Sequence, residues 1–289
     1  MSIAAFIPLH DWKSPSNGEQ RFLLLDGAQC KSVEDILKRI PDAGTAIHLF
    51  DGVLADGSAD ASVYLLRLSE NMDLAAFLRC AAPALLSWGG VGLIDSSLPP
   101  GELSQRLMRR LGAKFANGKE FLQRFFDGRV FPMFIDVLTP EQREAFLAVG
   151  SRWWFVGPDL SWQSLELTDP ASDPYSGPQQ FSDAQRRRIV DDTYPYTLMD
   201  HFSFTDKELL DRIPPRDRYR FFRHCMRIAE QFGIRDGKRI VMICTWALLL
   251  GDKFHQDPAW VARLEDFAAG RRTAREIGNE AWPVEETWE

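Results

Sequence analysis

The sequence predicts an α+β protein: an N-terminal α/β lobe with a mixed β-sheet flanked by helices, then an all-helical C-terminal lobe. Three observations carry this. Over residues 1–156, short apolar runs closed by glycine alternate with segments of helical spacing. Residues 157–180 hold Pro158, Pro170, Pro174 and Pro178 among Ser, Asp and Gly, the composition of a linker. From 181 to 289 the apolar spacing is helical.

Taken in order, Arg21 to Asp26 reads as a buried strand ending at Gly27. Ser32 caps a helix starting at Val33, with Glu34 and Asp35 at its positive end and Pro41 beyond it. Ala46 to Asp51, closed by Gly52, and Val63 to Leu68 are the next strands. Leu74 to Leu86 is a buried helix that Pro83 ends or kinks. Gly90 to Asp95 is strand-like, and Leu103, Leu107 and Leu111 mark a helix. A hairpin over 112–126 turns at Asn117-Gly118. A helix follows Arg129, and another, capped by Thr139, runs from Pro140 to Val149 ahead of the strand Trp153 to Val156. Helices are expected at 182–200, 215–232, 237–250 and 258–269. Phe222, Cys225, Met226, Ala229 and Phe232 form the buried stripe of the second, which Gly233 terminates.

Composition narrows the function. With 45% hydrophobic and 26% charged residues, the 289-residue chain can bury a large core, and nine Trp and 20 Phe are a generous share, most of it expected in that core. Surplus aromatics often cover a partner-binding surface. A net charge of −7 opposes nucleic-acid binding. The four scattered cysteines suit a reducing compartment. The first ten residues lack a basic, apolar export signal, and the apolar run Ile240 to Leu250 is too short for a bilayer. The expectation is a cytoplasmic protein that engages neither membrane nor nucleic acid.

Catalytic signatures do not emerge. Gly112 to Lys119 fails the phosphate-loop spacing, with Glu120 where a magnesium-binding hydroxyl belongs. The five histidines lack metal-ligand spacing, so no cofactor or metal is expected. Asp26, Asp51 and Asp127 each precede a glycine. They read either as turn formers after strands or as an acid–base or metal set at strand ends.

Two basic features stand out. Arg216, Arg220, Arg223 and Arg227 fall at i, i+4, i+7 and i+11 on one helix face, either a solvated face or a dock for an acidic segment. Arg124-Phe125-Phe126-Asp127-Gly128-Arg129 sets two arginines around one aspartate amid apolar bulk. It is either a buried structural ion pair or a set of spare guanidinium donors for a partner's carboxylate or backbone. Arg124, Phe126, Asp127 and Arg129, with the four helix arginines, are the candidate partner-binding residues.

At these residues the chain resembles the adaptor/chaperone family of type VI secretion, the Tap/Tec-type domain long filed as of unknown function. The resemblance rests on Leu24-Leu25-Asp26-Gly27-Ala28, Leu49-Phe50-Asp51-Gly52, Tyr64 to Leu68, Trp88-Gly89 and the Arg124-to-Arg129 motif, in that order over residues 21–156. Phe126 stands where the family has Tyr, and Gly128 where it has Pro. The resemblance implies a non-enzymatic chaperone that binds a cognate secreted effector, through its N-terminal region, and helps load it onto the VgrG spike. Two other readings stay open: a hydrolase or nucleotide-binding enzyme built on the strand-end aspartates, and a toxin-neutralising immunity protein.

Overall fold

The computed structural model describes residues 15–16, 18–39, 46–51, 62–69, 72–167 and 172–281; Pro41, Gly52 and Pro170 lie outside them, as do the first ten residues. The chain divides into two units, Met1–Asp191 and Asp192–Glu289.

The described residues of the first unit form β1 (Gln20–Asp26), β2 (Ile47–His48), β3 (Val63–Arg67), β4 (Val91–Ser96), β5 (Gly112–Phe115), β6 (Glu120–Leu122), β7 (Arg152–Val156), β8 (Trp162–Glu166) and β9 (Gln179–Phe181). Its helices are α1 (Val33–Leu37), α2 (Leu74–Ala81), α3 (Pro100–Arg109), α4 (Phe131–Val137) and α5 (Pro140–Leu147). Six strands make one sheet in the order β2-β3-β1-β4-β7-β8, and β6-β5-β9 make a second.

Every pairing in the large sheet is antiparallel, which corrects the expected mixed sheet. A parallel pair occurs in the small sheet, between β5 and β9. The physical reason is burial on both faces. Phe22 and Leu24 of β1 pack with Leu103, Phe131 and Phe146 of α3, α4 and α5. Leu23 and Leu25 pack with Val33, Ile36, Phe77 and Leu78 of α1 and α2. Strands covered on both sides read as continuous apolar runs, whatever their direction.

The local signals act as expected. Ser32 Oγ accepts the Asp35 N–H at 3.2 Å, and Thr139 and Gln142 close a reciprocal capping box on α5. Pro83 sits in a single 3-10 turn that ends α2. Asn117-Gly118 makes the β5–β6 turn, with Gly118 at φ +78°. The expected strand over 46–51 shrinks to Ile47–His48, since Leu49 to Asp51 already turn.

Residues 157–180, expected as a linker, carry β8 and most of β9 and bury Tyr175 in the core. Asp173, in the same stretch, completes the bonding of a buried arginine. Arg110, just past α3, is fully buried. Its Nε donates to the Phe146 carbonyl at 2.7 Å, and Nη1 to the Arg106 carbonyl at 2.7 Å. Nη2 donates to the Ala145 carbonyl at 2.8 Å and to Asp173 Oδ1 at 2.6 Å, and Nη1 reaches Asp173 Oδ2 at 3.1 Å. All the guanidinium donors are thus used, as a buried cation requires. The Tyr175 ring stacks on the same group, 4.6 Å away.

The second unit contains the rest of α6 (Asp183–Thr205), within which the division falls, and α7 (Lys207–Leu210), α8 (Pro215–Gln231), α9 (Gly237–Leu250), α10 (Pro258–Ala268) and α11 (Ala274–Ala281). Its core is built on Phe222, Cys225, Ile243, Trp246, Leu264 and Ile277. Of the expected α8 stripe, Phe222, Cys225 and Ala229 are buried, while Met226 and Phe232 are partly so. Gly233, at φ +72°, closes α8, and the Ile234 N–H returns to the Ala229 carbonyl at 2.8 Å.

The Arg110–Asp173 pair generates a pH prediction. Burial raises the Asp173 pKa, but the Arg110 hydrogen bond, the Tyr175 N–H and the charges of Arg110 and Arg109 outweigh it and hold it below the ordinary value. A depressed carboxyl stabilises the fold above its unfolded pKa and loses that contribution as pH falls through the folded one. Asp173→Asn is therefore expected to cost about 3 kcal/mol at neutral pH. The gap from wild type should narrow below about pH 4, which urea unfolding at a series of pH values would read.

Candidate functional site

The corner around Arg124 is assembled from three turns that are distant in sequence. β1 ends at Asp26, whose Oδ1 accepts the Ala28 N–H at 3.1 Å and whose Oδ2 accepts Gln29 Nε2 at 2.8 Å. The second turn, Trp88–Gly90, leads into β4. The third, 124–129, follows the small hairpin and leads into α4, with the Asp127 carbonyl accepting the Val130 and Phe131 N–H groups at 2.9 and 2.8 Å.

Two glycines let these turns close. A Cβ on Gly128 would lie 2.4 Å from the Val156 carbonyl oxygen of β7, a backbone atom that cannot move aside. The Gly128 N–H also donates to the Gly89 carbonyl at 2.7 Å, a bond that the proline of the resembled family could not make. A Cβ on Gly89 would lie 2.8 Å from Arg129 Cγ and 3.2 Å from Asp127 Oδ1. The corner is thus fitted closely against both the β1–β4 end and β7.

Charge then pairs across the closed turns. Arg124 Nη2 lies 3.1 Å from Asp26 Oδ2 and 3.4 Å from Asp127 Oδ2. Arg129 chelates Asp127, Nε to Oδ1 at 3.0 Å and Nη2 to Oδ2 at 2.9 Å. The carboxylates are deep, at 2% and 1% side-chain exposure, while Arg124 and Arg129 reach the surface at 44% and 32%. Two acids and two bases balance, so each buried carboxylate has a cation.

The surroundings are apolar. Phe126 is buried against Phe50 and Phe125, with ring centroids 5.9 and 5.6 Å away, and Arg124 lies 5.9 Å over its face. It backs Arg124 rather than facing outward. Cys30 Sγ, the corner's thiol, donates to the Asp26 carbonyl at 3.3 Å, and burial, with the Asp26 charge, pushes its pKa up to about 12. It stays protonated at neutral pH and is no nucleophile.

Of the three strand-end aspartates, the structure brings Asp26 and Asp127 together around Arg124. Asp51 is exposed on the turn after β2 and takes no part in these ion pairs. Pairing across 98 residues is the feature that sequence reasoning missed, although the Asp-Gly signals at both positions pointed to strand ends. Among the described residues, no group of three or more His, Cys, Asp and Glu is placed to hold a metal ion, and no helix is long and apolar enough to cross a membrane.

The α8 arginines lie in the other unit. Arg220 bonds Asp217 at 2.9 Å, Arg216 approaches the same carboxylate at 3.8 Å, and Arg223 is paired with Asp192. Arg227 is exposed. Most of the stripe is therefore engaged with its own aspartates.

Residues 21–145 match the model of a family described as a domain of unknown function, DUF4123. All four charged residues of the corner fall inside that match, while β7, which Gly128 abuts, falls just beyond it. Comparison with curated proteins gives no match, and comparison with solved structures gives none.

The close approach of Gly128 to Val156 yields a direct test. Gly128→Ala is expected to destabilise the protein by about 1–3 kcal/mol, the usual cost of overpacking. A wild-type midpoint of chemical unfolding in this variant would contradict the geometry.

Proposed function

We propose that the chain is a non-enzymatic adaptor that binds a cognate type VI secretion effector in the cytoplasm, by the effector's N-terminal region, and helps load it onto the VgrG spike. The order and spacing of the motifs across residues 21–156 support this, together with the DUF4123 match over most of that span.

The geometry that carries it is the orientation of the corner. Asp26 and Asp127 face inward and accept bonds from Arg124, Arg129, Gln29 and backbone N–H groups. A carboxylate so buried and so saturated is poorly placed to exchange a proton with substrate or to ligate a metal. Donors, not acceptors, are turned to the outside. Half-exposed arginines on a rigid base are suited to recognising acceptor groups on another protein.

The corner is the primary contact in this reading. The α8 stripe is the lesser one, because three of its four arginines already hold aspartates.

Co-purification with the protein encoded beside this chain tests the proposal. That protein should be captured by the wild type, and its secretion should fall sharply when this chain is deleted. Arg124→Ala, which leaves Asp127 paired with Arg129 and takes from Asp26 its Arg124 ion pair, should weaken capture at least tenfold, about 1.4 kcal/mol. A neighbour-encoded effector that stays soluble and is secreted normally without this chain would overturn the adaptor role.

A further inference from the structure

We propose that the open edge of β8 receives an extended segment of the partner as a seventh strand of the large sheet, with Leu160 at the hairpin tip as its apolar anchor. The inference rests on the adaptor reading and adds a second contact beside the corner.

β8 stands last in the sheet order, and among the described residues no strand lies on its far side. Its pairing phase is fixed at both ends. The Gly157 N–H donates to the Ser161 carbonyl at 2.9 Å, and the Leu167 N–H to the Ser151 carbonyl at 2.8 Å. Odd-numbered residues of β8 therefore bond β7, and Ser164 and Glu166 turn their N–H and C=O groups outward. Both residues are exposed. With five residues, β8 is the longest edge strand of the described sheets; β2 has two, and β6 and β9 have three each. It carries no Pro or Lys, and its register with β7 runs without a bulge, so the usual devices that blunt an edge are missing. A row of outward main-chain donors and acceptors at strand spacing matches the backbone of another strand.

The turn before β8 supplies a second observation. Asp159 Oδ1 accepts the Ser161 N–H at 3.1 Å and the Ser161 hydroxyl at 2.7 Å, which fixes the loop Pro158 to Leu160. Leu160 closes that loop at φ +61°, a conformation that favours glycine. A leucine held there is strained. Its half-exposed side chain joins none of the hydrophobic cores of the described residues, so the packing of the fold does not account for it. An apolar side chain of a docked strand would.

Position and charge define the occupant. Gly128 of the corner abuts Val156, the last residue of β7, so the hairpin begins where the corner ends. A segment docked at the corner can run on along β8. On that path it passes Glu166, whose side chain is 83% exposed and whose cross-strand partner Arg152 lies 3.1 Å away. A Lys or Arg opposite Glu166 extends this pair into a ladder over three strands, whereas an acid there would face like charge. The occupant is thus an extended segment with an apolar residue near Leu160 and a basic one at Glu166. The chain's net charge of −7 suits such a segment.

Hydrogen exchange in the full-length chain, alone and with the protein encoded beside it, tests this residue by residue. In the free chain the Ser164 and Glu166 amides should exchange fast, and those of Gln163 and Leu165 slowly. In the complex, Ser164 and Glu166 are expected to slow at least about tenfold. Leu160→Gly should raise the midpoint of urea unfolding yet weaken capture at least about tenfold. A complex in which Ser164 and Glu166 still exchange fast, or a Leu160→Gly variant no more stable than wild type, overturns this inference and leaves the adaptor reading standing. Protection that appears in the chain alone and grows with its concentration overturns it in favour of a second copy. Failure of the wild type to capture the neighbour-encoded protein removes the adaptor reading, and this inference with it.

Discussion

Asp26 and Asp127 reach for the same nitrogen of Arg124, at 3.1 and 3.4 Å, and both are almost wholly removed from water. A buried carboxylate without a cation is costly enough to shift its pKa or open the structure. Each of these acids is therefore a constraint on where the chain can go. The end of β1 must come to the 124–129 turn, and that turn must accommodate Arg129 as a second cation. The remaining features of the corner follow: small residues at Gly89 and Gly128 where the turns touch, and Phe125 and Phe126 anchoring the loop in the core.

The constraint extends through the sheet. β1 is central, paired with β3 on one side and β4 on the other, and its alternate residues enter the two cores of the unit. Fixing its last residue fixes the level at which the turns before β4 and after β6 meet. Gly128 then sets the corner against β7, two strands away from β1. Arg110 performs a similar service at another place: it ties the end of α3 to the carbonyls ending α5 and, through Asp173, to the stretch between β8 and β9. In both cases a guanidinium with several donors joins segments that hydrophobic contact alone would not register.

Local rules were legible in the sequence because they depend on neighbours. Ser32 and Thr139 cap helices, Asn117-Gly118 turns a hairpin, and Gly233 ends α8, each by bonds spanning a few residues. Strand direction was not legible. An apolar run such as Phe22 to Leu25 shows that both faces are buried, and both-face burial is compatible with either direction of pairing. β8, Trp162–Glu166, lacks apolar alternation and lies among prolines, so its pairing with β7 left no local mark. Arg110 gave no sign of burial, since its partners are backbone carbonyls and a distant aspartate. For the corner, Arg124, Asp127 and Arg129 were visible as a cluster, but Asp26, which gives the cluster its balance, stands 98 residues away from Arg124.

The central claim is that the shared hold of Asp26 and Asp127 on Arg124 joins the turns of the first unit. A double-mutant cycle between Asp26→Asn and Arg124→Gln, read by chemical unfolding of the full chain, measures that hold without regard to any partner. The structure predicts a coupling energy of at least about 1 kcal/mol, because the two groups are in direct contact and one is buried. Additive effects, within about 0.3–0.5 kcal/mol, would show that the two residues act independently and would contradict the account.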